Sequence, residues 1–102
     1  SKGGFANNPY QMVERDFAFL FPKEVKAGEI IKKVKKIDKN IIQNVTIFDV
    51  YDGDKLPENR KSIAFRVLLQ PLDKTFNDQE IEELSNKIID EISKSLDASI
   101  RN

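Results

Sequence analysis

Two short tracts hold the polar side chains best suited to specific contacts, residues 49–53 (DVYDG) and residues 60–66 (RKSIAFR). In both tracts polar residues recur at alternating positions inside otherwise apolar strands. Because the side chains of a strand alternate between its two faces, this pattern places charge on one face of a sheet and core on the other. The carboxylate, phenol, hydroxyl and guanidinium groups can form hydrogen bonds and stack. The pattern therefore predicts a sheet used as a binding surface.

The composition argues against catalysis. The 102 residues include no histidine and no cysteine. These absences remove the commonest general base, thiolate nucleophiles, disulfides and the usual ligands of transition metals. The chain is therefore predicted to be non-catalytic and to carry no metal. It has no apolar run near the length of a membrane span and no secretory signal, so a cytoplasmic protein without a membrane partner is expected.

The length predicts one domain, and its charge is balanced but segregated. The chain has 17 basic and 17 acidic residues, which argues against a general polyanion binder. Residues 23–39 nevertheless hold seven lysines and three acids, whereas residues 73–91 hold seven acids and two lysines. Either these are two solvated helix faces, or one side of the domain faces phosphate and the other does not.

Hydrophobic periodicity predicts six elements in the order βαββαβ. Residues 1–8 are expected to be a linker or an expression remnant, and residues 9–102 to form the domain. Asn77 and Glu80 are expected to cap the second helix with a capping box. The predicted spans are strand 13–21, helix 27–37, strand 41–52, strand 62–70, a helix from Asn77 to near Leu96, and a short strand 98–101.

This order predicts an α+β, ferredoxin-like sandwich. Right-handed crossovers would place both helices on one face of a four-stranded antiparallel sheet with strand order 4-1-3-2. The other face would be uncovered. Alternation predicts which side chains lie on that uncovered face: Asp16, Ala18, Asp49, Tyr51, Ser62, Ala64 and Arg66.

The second strand contains a conflict. If Phe48 and Val50 are core, as their size suggests, then Val45 and Ile47 point outward. Either a β-bulge shifts the register, or this end of the sheet is covered by another part of a larger protein. The second explanation is the one preferred from the sequence.

Several polar residues could contact a phosphate or a base, but each also has a structural interpretation. Arg15 and Arg66 could instead form ion pairs with Asp16 or Asp49, and Tyr51 could be an ordinary strand aromatic rather than a stacking platform. The lysines at 32–36 are interpreted as a solvated helix face. The candidate binding residues are Arg15, Asp49, Tyr51, Arg60, Lys61, Ser62 and Arg66.

Five tracts occur in the order found in a known family. They are residues 13–19 (VERDFAF), 27–30 (AGEI), 45–53 (VTIFDVYDG), 61–66 (KSIAFR) and 73–80 (DKTFNDQE). Together they resemble the ferredoxin-fold anticodon-binding domain at the C-terminus of the bacterial phenylalanyl-tRNA synthetase beta chain. Small departures are Phe76 and Asn77, where that family more often has leucine and threonine, and Asn59, where it usually has glycine before the basic pair.

The resemblance implies that the chain binds the anticodon stem-loop of tRNA(Phe) and helps its enzyme to select that tRNA. The parent enzyme uses ATP and magnesium, and the implied partners are the rest of the beta chain and the alpha chain. No ATP, amino-acid or metal residue of the family maps onto these 102 positions. The resemblance therefore implies a recognition module with no cofactor of its own.

Other ferredoxin-like proteins remain alternatives. A generic RNA-recognition motif would need exposed aromatics on the central strands, and an acylphosphatase would need a glycine-bearing anion loop where Phe21 to Val25 stand. A metal chaperone of this topology would need a cysteine pair. The main alternative is an oligomerisation or small-ligand-sensing domain, which outward-facing Val45 and Ile47 would suit.

Overall fold

The structure, a computed structural model, describes residues 10–101 and has the predicted element order. The elements are β1 (Val13–Pro22), α1 (Ala27–Ile37), β2 (Ile42–Tyr51), β3 (Arg60–Leu69), α2 (Asp78–Ser95) and β4 (Ser99–Ile100). The α+β, ferredoxin-like fold class is therefore confirmed. The linker predicted for residues 1–8 lies outside the described residues.

The four strands form one antiparallel sheet in the order β2-β3-β1-β4, which confirms the predicted order. The long central pair, β1 and β3, places Phe17 opposite Phe65 and Asp16 opposite Arg66. Paired residues of neighbouring strands point to the same face of the sheet, and successive residues along each strand point to opposite faces. One set of side chains packs under the helices and the other set forms the opposite face.

The core lies between the helices and one face of this sheet. Phe65 is fully buried, and its ring stacks between those of Phe17 and Phe19, with centroid distances of 5.5 and 5.8 Å. Both helices pack on this layer. They contribute four of the residues in a single buried cluster, Ile30 and Val34 from α1 and Ile88 and Ile92 from α2.

The prediction that Phe48 and Val50 belong to the core is wrong. The β2–β3 register shifts between Ile47 and Asp49, so Phe48 is an extra residue that bulges from the strand and is 49% exposed. Upstream of the bulge, Val45 is buried and Ile47 packs against the core. A bulge re-phases the alternation along a strand. The bulge therefore accounts for the conflict in β2, and the preferred explanation, in which another part of a larger protein covers Val45 and Ile47, is wrong because this domain's own core buries them.

The predicted capping box of α2 is confirmed. The Asn77 Oδ1 accepts a hydrogen bond from the Glu80 backbone N–H at 2.8 Å, and the Glu80 carboxylate accepts one from the Asn77 N–H at 3.0 Å. Lys74 adds an ion pair to Glu80 at 2.9 Å. This hydrogen bond from Lys74 is the largest cause that lowers the pKa of Glu80. These contacts satisfy exposed amides of the first turn and set where the helix begins.

The turn between β2 and β3 explains why asparagine stands before the basic pair. Asn59 has a φ of 66°, in the left-handed region that glycine adopts most readily. Asparagine is among the side chains that tolerate this region best. Its carbonyl accepts a hydrogen bond from the Lys23 backbone N–H at 3.1 Å. Asn59 can therefore provide the backbone conformation that a glycine would provide here.

Candidate nucleic-acid interface

The sheet face opposite the helices, called the open face below, carries a mixed set of polar, small and aromatic side chains. The register places these residues on it together, because Asp49 lies opposite Ala64, Tyr51 opposite Ser62 and Thr46 opposite Arg66. Backbone pairing of Arg101 with Ala18 adds one residue beyond β4. The central residues of the open face are Asp16, Ala18, Thr46, Phe48, Asp49, Tyr51, Ser62, Ala64, Arg66 and Arg101.

Arg66 is held between a carboxylate and an aromatic ring. Its Nε and Nη2 donate to the two oxygens of Asp16 at 2.8 and 3.0 Å, and its guanidinium carbon lies 5.1 Å from the centroid of the Phe48 ring. Bidentate pairing and cation–π contact both restrict the planar guanidinium. Of the two carboxylates that the sequence offered to Arg66, Asp16 forms the pair, whereas Asp49 is opposite Ala64. Arg66 keeps N–H donors that Asp16 does not use, because a guanidinium has five.

The Asp16–Arg66 pair predicts a pH dependence. The hydrogen bond from Arg66 is the largest cause that lowers the pKa of the Asp16 carboxyl. A lowered folded-state pKa means that this pair stabilises the fold above the unfolded-state value of about 3.9, and that the contribution is lost as the pH falls through the folded-state pKa. A carbon-13 NMR titration should give an Asp16 midpoint below about 3.9, which moves upward in Arg66→Gln. A midpoint that Arg66→Gln leaves unchanged would contradict the pairing.

Arg101 is a functional candidate that sequence reasoning missed. Its Nη1 donates to the Ser62 Oγ at 2.8 Å, so a guanidinium lies on the open face beside a buried hydroxyl. The Ser62 hydroxyl accepts this bond and retains its own hydrogen for another acceptor. The signal was present in the predicted last strand. Alternation within that strand, 98–101, with Ile100 on the side of the helices, would have pointed Arg101 to the open face.

A cavity of about 450 Å³ opens where the open face meets the exposed edge of β1 beyond the short β4, and it extends around that edge to Ser85 and Ile89 of α2. Ala18 and Ala64 belong to its wall, and their small side chains leave space above the sheet. Phe48 of β2 and Arg101, the residue after β4, line the same cavity. The cavity therefore combines an apolar floor with an aromatic ring and a cation. Such a site suits a flat, polar-edged ligand.

Tyr51 lies at the end of β2 and is 41% exposed. Its ring lies against Gly53, so that a Cβ atom at residue 53 would overlap the phenol. Glycine at this position therefore allows the ring to occupy its place over the turn. Tyr51 remains available for stacking, and Asp49 on the same face is an exposed acceptor. The predicted outward orientation of these two residues agrees with the register.

Three predicted binding residues do not lie on the open face. Arg15 and Lys61 are opposite Val67 and Phe21, so they share the side of the sheet on which the helices pack, although Arg15 also lines the cavity of about 450 Å³. Arg60 is occupied, because its Nη1 donates to the Asp97 backbone oxygen at 2.5 Å and its Nη2 lies 3.4 Å from the Asp97 carboxylate. The structure thus gathers Asp49, Tyr51, Ser62 and Arg66 on the open face.

Neither a metal centre nor a membrane segment is evident in the described part of the chain. Residues 10–101 contain no cluster of three or more aspartate, glutamate, histidine or cysteine side chains able to hold a metal ion. No helix within the same range is long and apolar enough to cross a bilayer.

The ferredoxin-like sheet has an uncovered face with aromatic rings, an ion-paired guanidinium and hydrogen-bonding groups. These features indicate a small binding module. The particular family follows from comparison. A model described as the ferredoxin-fold anticodon binding domain matches residues 8–101. The chain belongs to this family, and the resemblance predicted from the five sequence tracts is confirmed.

Relatives share much of this chain but are far longer. The phenylalanine--tRNA ligase beta subunit of Nitrobacter winogradskyi is 42% identical over 92 residues, which cover 90% of this chain and 11% of that protein. The beta subunit of Rhodospirillum rubrum is 45% identical over 94 residues, covering 92% of this chain and 12% of its own length. The chain thus spans about a ninth of the length of the curated relatives it matches.

Proposed function

We propose that this chain is the anticodon-stem-loop-binding module of a phenylalanine--tRNA ligase beta subunit and helps that enzyme to select tRNA(Phe). Family membership and relatives named as that subunit support the proposal. Single-stranded RNA loops are recognised by stacking on aromatic rings and by polar contacts to splayed bases. The open face offers both kinds of group.

The observation that carries the proposal is the cavity whose lining includes Phe48, Ala18, Ala64 and Arg101. A nucleobase entering above the two alanines would have the Phe48 ring at one side and the Arg101 guanidinium at another. Asp49 can accept from a base amino or imino group, whereas the buried Ser62 hydroxyl positions Arg101 by accepting its hydrogen bond. Arg66, held by Asp16, would supply a guanidinium to a phosphate or a base without first losing freedom of rotation.

The whole enzyme would supply the chemistry. We propose that aminoacylation, with its ATP and magnesium, takes place elsewhere, and that this domain acts with the rest of the beta chain and with an alpha chain. A cytoplasmic setting follows from the same proposal. The domain itself would contribute binding and orientation, and contacts in the full enzyme would raise the effective concentration of the anticodon at the open face.

Chemical-shift mapping tests the proposal directly. Titration of the chain with a phenylalanine tRNA anticodon stem-loop should perturb amides around Asp49, Tyr51, Ser62 and Ala64. A stem-loop that differs only in the anticodon should perturb them less. Identical shifts with both stem-loops, or shifts that leave the open face untouched, would contradict anticodon recognition there.

The oligomerisation alternative loses the observation that favoured it. Its support was the expected outward orientation of Val45 and Ile47, but Val45 is 5% exposed and both residues pack with the core. Size measurements over a range of concentrations would still test it. A dimer formed through the open face would exclude the stem-loop from that face.

A further inference from the structure

A second surface of the domain is strongly basic and is not part of the open face. Four lysines, together with Ile42 and Gln43, line a surface cavity of about 350 Å³ beside the N-terminal end of the edge strand β2. We call these lysines the basic face. They are Lys32, Lys35, Lys36 and Lys39.

The lysines of the basic face are exposed, and the structure described for residues 10–101 shows no ion pair to any of them. Within residues 10–101, none of the four lies within ion-pair distance of a carboxylate, whereas Lys23 and Lys74 each have an acidic partner. Lys32 and Lys36 are also four residues apart on α1, a spacing at which like charges repel. Lys36 lies in the last turn, where the helix dipole favours a cation, but no carboxylate in residues 10–101 forms an ion pair with either lysine. An external polyanion would neutralise the repulsion between them.

The total charge is zero, but positive and negative charges lie on different sides of the domain. The acidic residues are concentrated on α2, between residues 78 and 91, on the other helix of the pair. A polyanion approaching the domain is attracted towards α1 and repelled from α2. Since α1 packs on β2, and α2 adjoins β4, the attractive side is the β2 edge of the sheet.

We propose that the basic face binds the phosphate backbone of RNA and forms a second contact beside the open face. No aromatic side chain lines its cavity. Lysines act as point charges that contact phosphate with little demand on geometry, so this contact would be independent of base sequence. The inference rests on the proposed function, because it takes the polyanion to be the RNA whose loop occupies the open face.

The edge strand β2 connects the two surfaces. Gln43 lies beside the basic face, and Tyr51 lies at the other end of the same strand on the open face. Eight residues of extended strand span about 26 Å. If the RNA loop binds near Tyr51, both RNA strands of the stem carry phosphates away from that position. One RNA can therefore reach both surfaces.

A matched pair of double variants tests the proposal. Lys32→Gln/Lys36→Gln removes two charges from the basic face, and Lys87→Gln/Lys94→Gln removes two charges from α2. Glutamine has nearly the helix propensity of lysine, and the first variant relieves a repulsion, so both should fold. The affinity of each for the phenylalanine tRNA anticodon stem-loop, and for a stem-loop with a changed anticodon, is measured over a series of salt concentrations.

The basic-face variant should weaken the binding of both stem-loops by the same factor and reduce the salt slope of log K by about 1.5, as two lost phosphate contacts would. The α2 variant should leave the slope near that of the unaltered chain. Equal effects of the two variants, or no change of slope in the basic-face variant, would overturn the proposal and leave total charge or an acidic protein partner as the explanation. Discrimination between the two stem-loops tests the proposed function separately, because it does not depend on the slope.

Discussion

Replacement of Tyr51 by alanine is expected to weaken binding of the phenylalanine tRNA anticodon stem-loop by about 5- to 150-fold, since stacking of a base on an aromatic ring contributes roughly 1–3 kcal/mol. Tyr51 is exposed at the end of β2 on the same face as Asp49 and Ser62. Its ring is positioned against Gly53 before any ligand arrives. Isothermal titration calorimetry with the stem-loop measures the loss.

Val50→Ala is the matched control for Tyr51→Ala. Val50 is the neighbouring residue of β2 and is 56% exposed, but it lies opposite Ile63, on the other side of the sheet. Its replacement should leave the affinity unchanged, and Tyr51→Phe should retain most of the binding because the ring remains. Equal losses in Tyr51→Ala and Val50→Ala would mean that RNA does not stack on the open face.

The same substitution separates recognition from chemistry in the proposed parent enzyme. Tyr51→Ala and Arg66→Ala should lower aminoacylation of tRNA, whereas the activation of phenylalanine, measured by pyrophosphate exchange without tRNA, should be unchanged. These residues would act only by contact with tRNA. Equal loss of both activities would show instead that the substitutions disturb the enzyme as a whole.

Replacement of Phe65 by alanine is expected to lower the free energy of unfolding by about 3–5 kcal/mol. The ring is fully buried at the centre of the sheet and contacts both Phe17 and Phe19. Its removal leaves a cavity that the two flanking rings cannot fill without leaving their packing against the helices. A loss of this size is a large part of the roughly 5–15 kcal/mol by which domains are stable. Urea unfolding followed by circular dichroism measures it.

Phe48→Ala removes the same atoms at an exposed position and is the control for Phe65→Ala. Phe48 lies on the bulge of β2, with half of its surface exposed and the Arg66 guanidinium over its ring. Little apolar surface returns to water when it is truncated, so the loss of stability should be well below that of Phe65→Ala. Comparable losses would mean that the core is not organised around the stacked phenylalanines.

Local sequence patterns were sufficient to predict the architecture of the domain. The alternation in residues 62–70, the i, i+4 spacing of Ile30 and Val34, and the capping box at Asn77 each depend on neighbours a few residues away. Such signals report the period of an element and where it begins. Together with the handedness of crossovers they were enough to predict the order of the strands and the uncovered face of the sheet.

The details of the site depended on contacts between distant residues. The conflicting phases of Val45 and Ile47 against Phe48 and Val50 allowed a bulge in β2, but they did not distinguish it from burial by another domain. The pairing of β2 with β3 decides this, because it buries Val45 and Ile47 and leaves Phe48 as the extra residue. The sequence left both Asp16 and Asp49 as partners for Arg66, and the pairing of β1 with β3 selects Asp16, fifty residues away. Arg101 reaches Ser62 across 39 residues. Periodicity indicates which residues of one strand lie on the same face. The register of paired strands decides which side chains of different strands are in contact, since shifting one strand by a single residue exchanges its two faces.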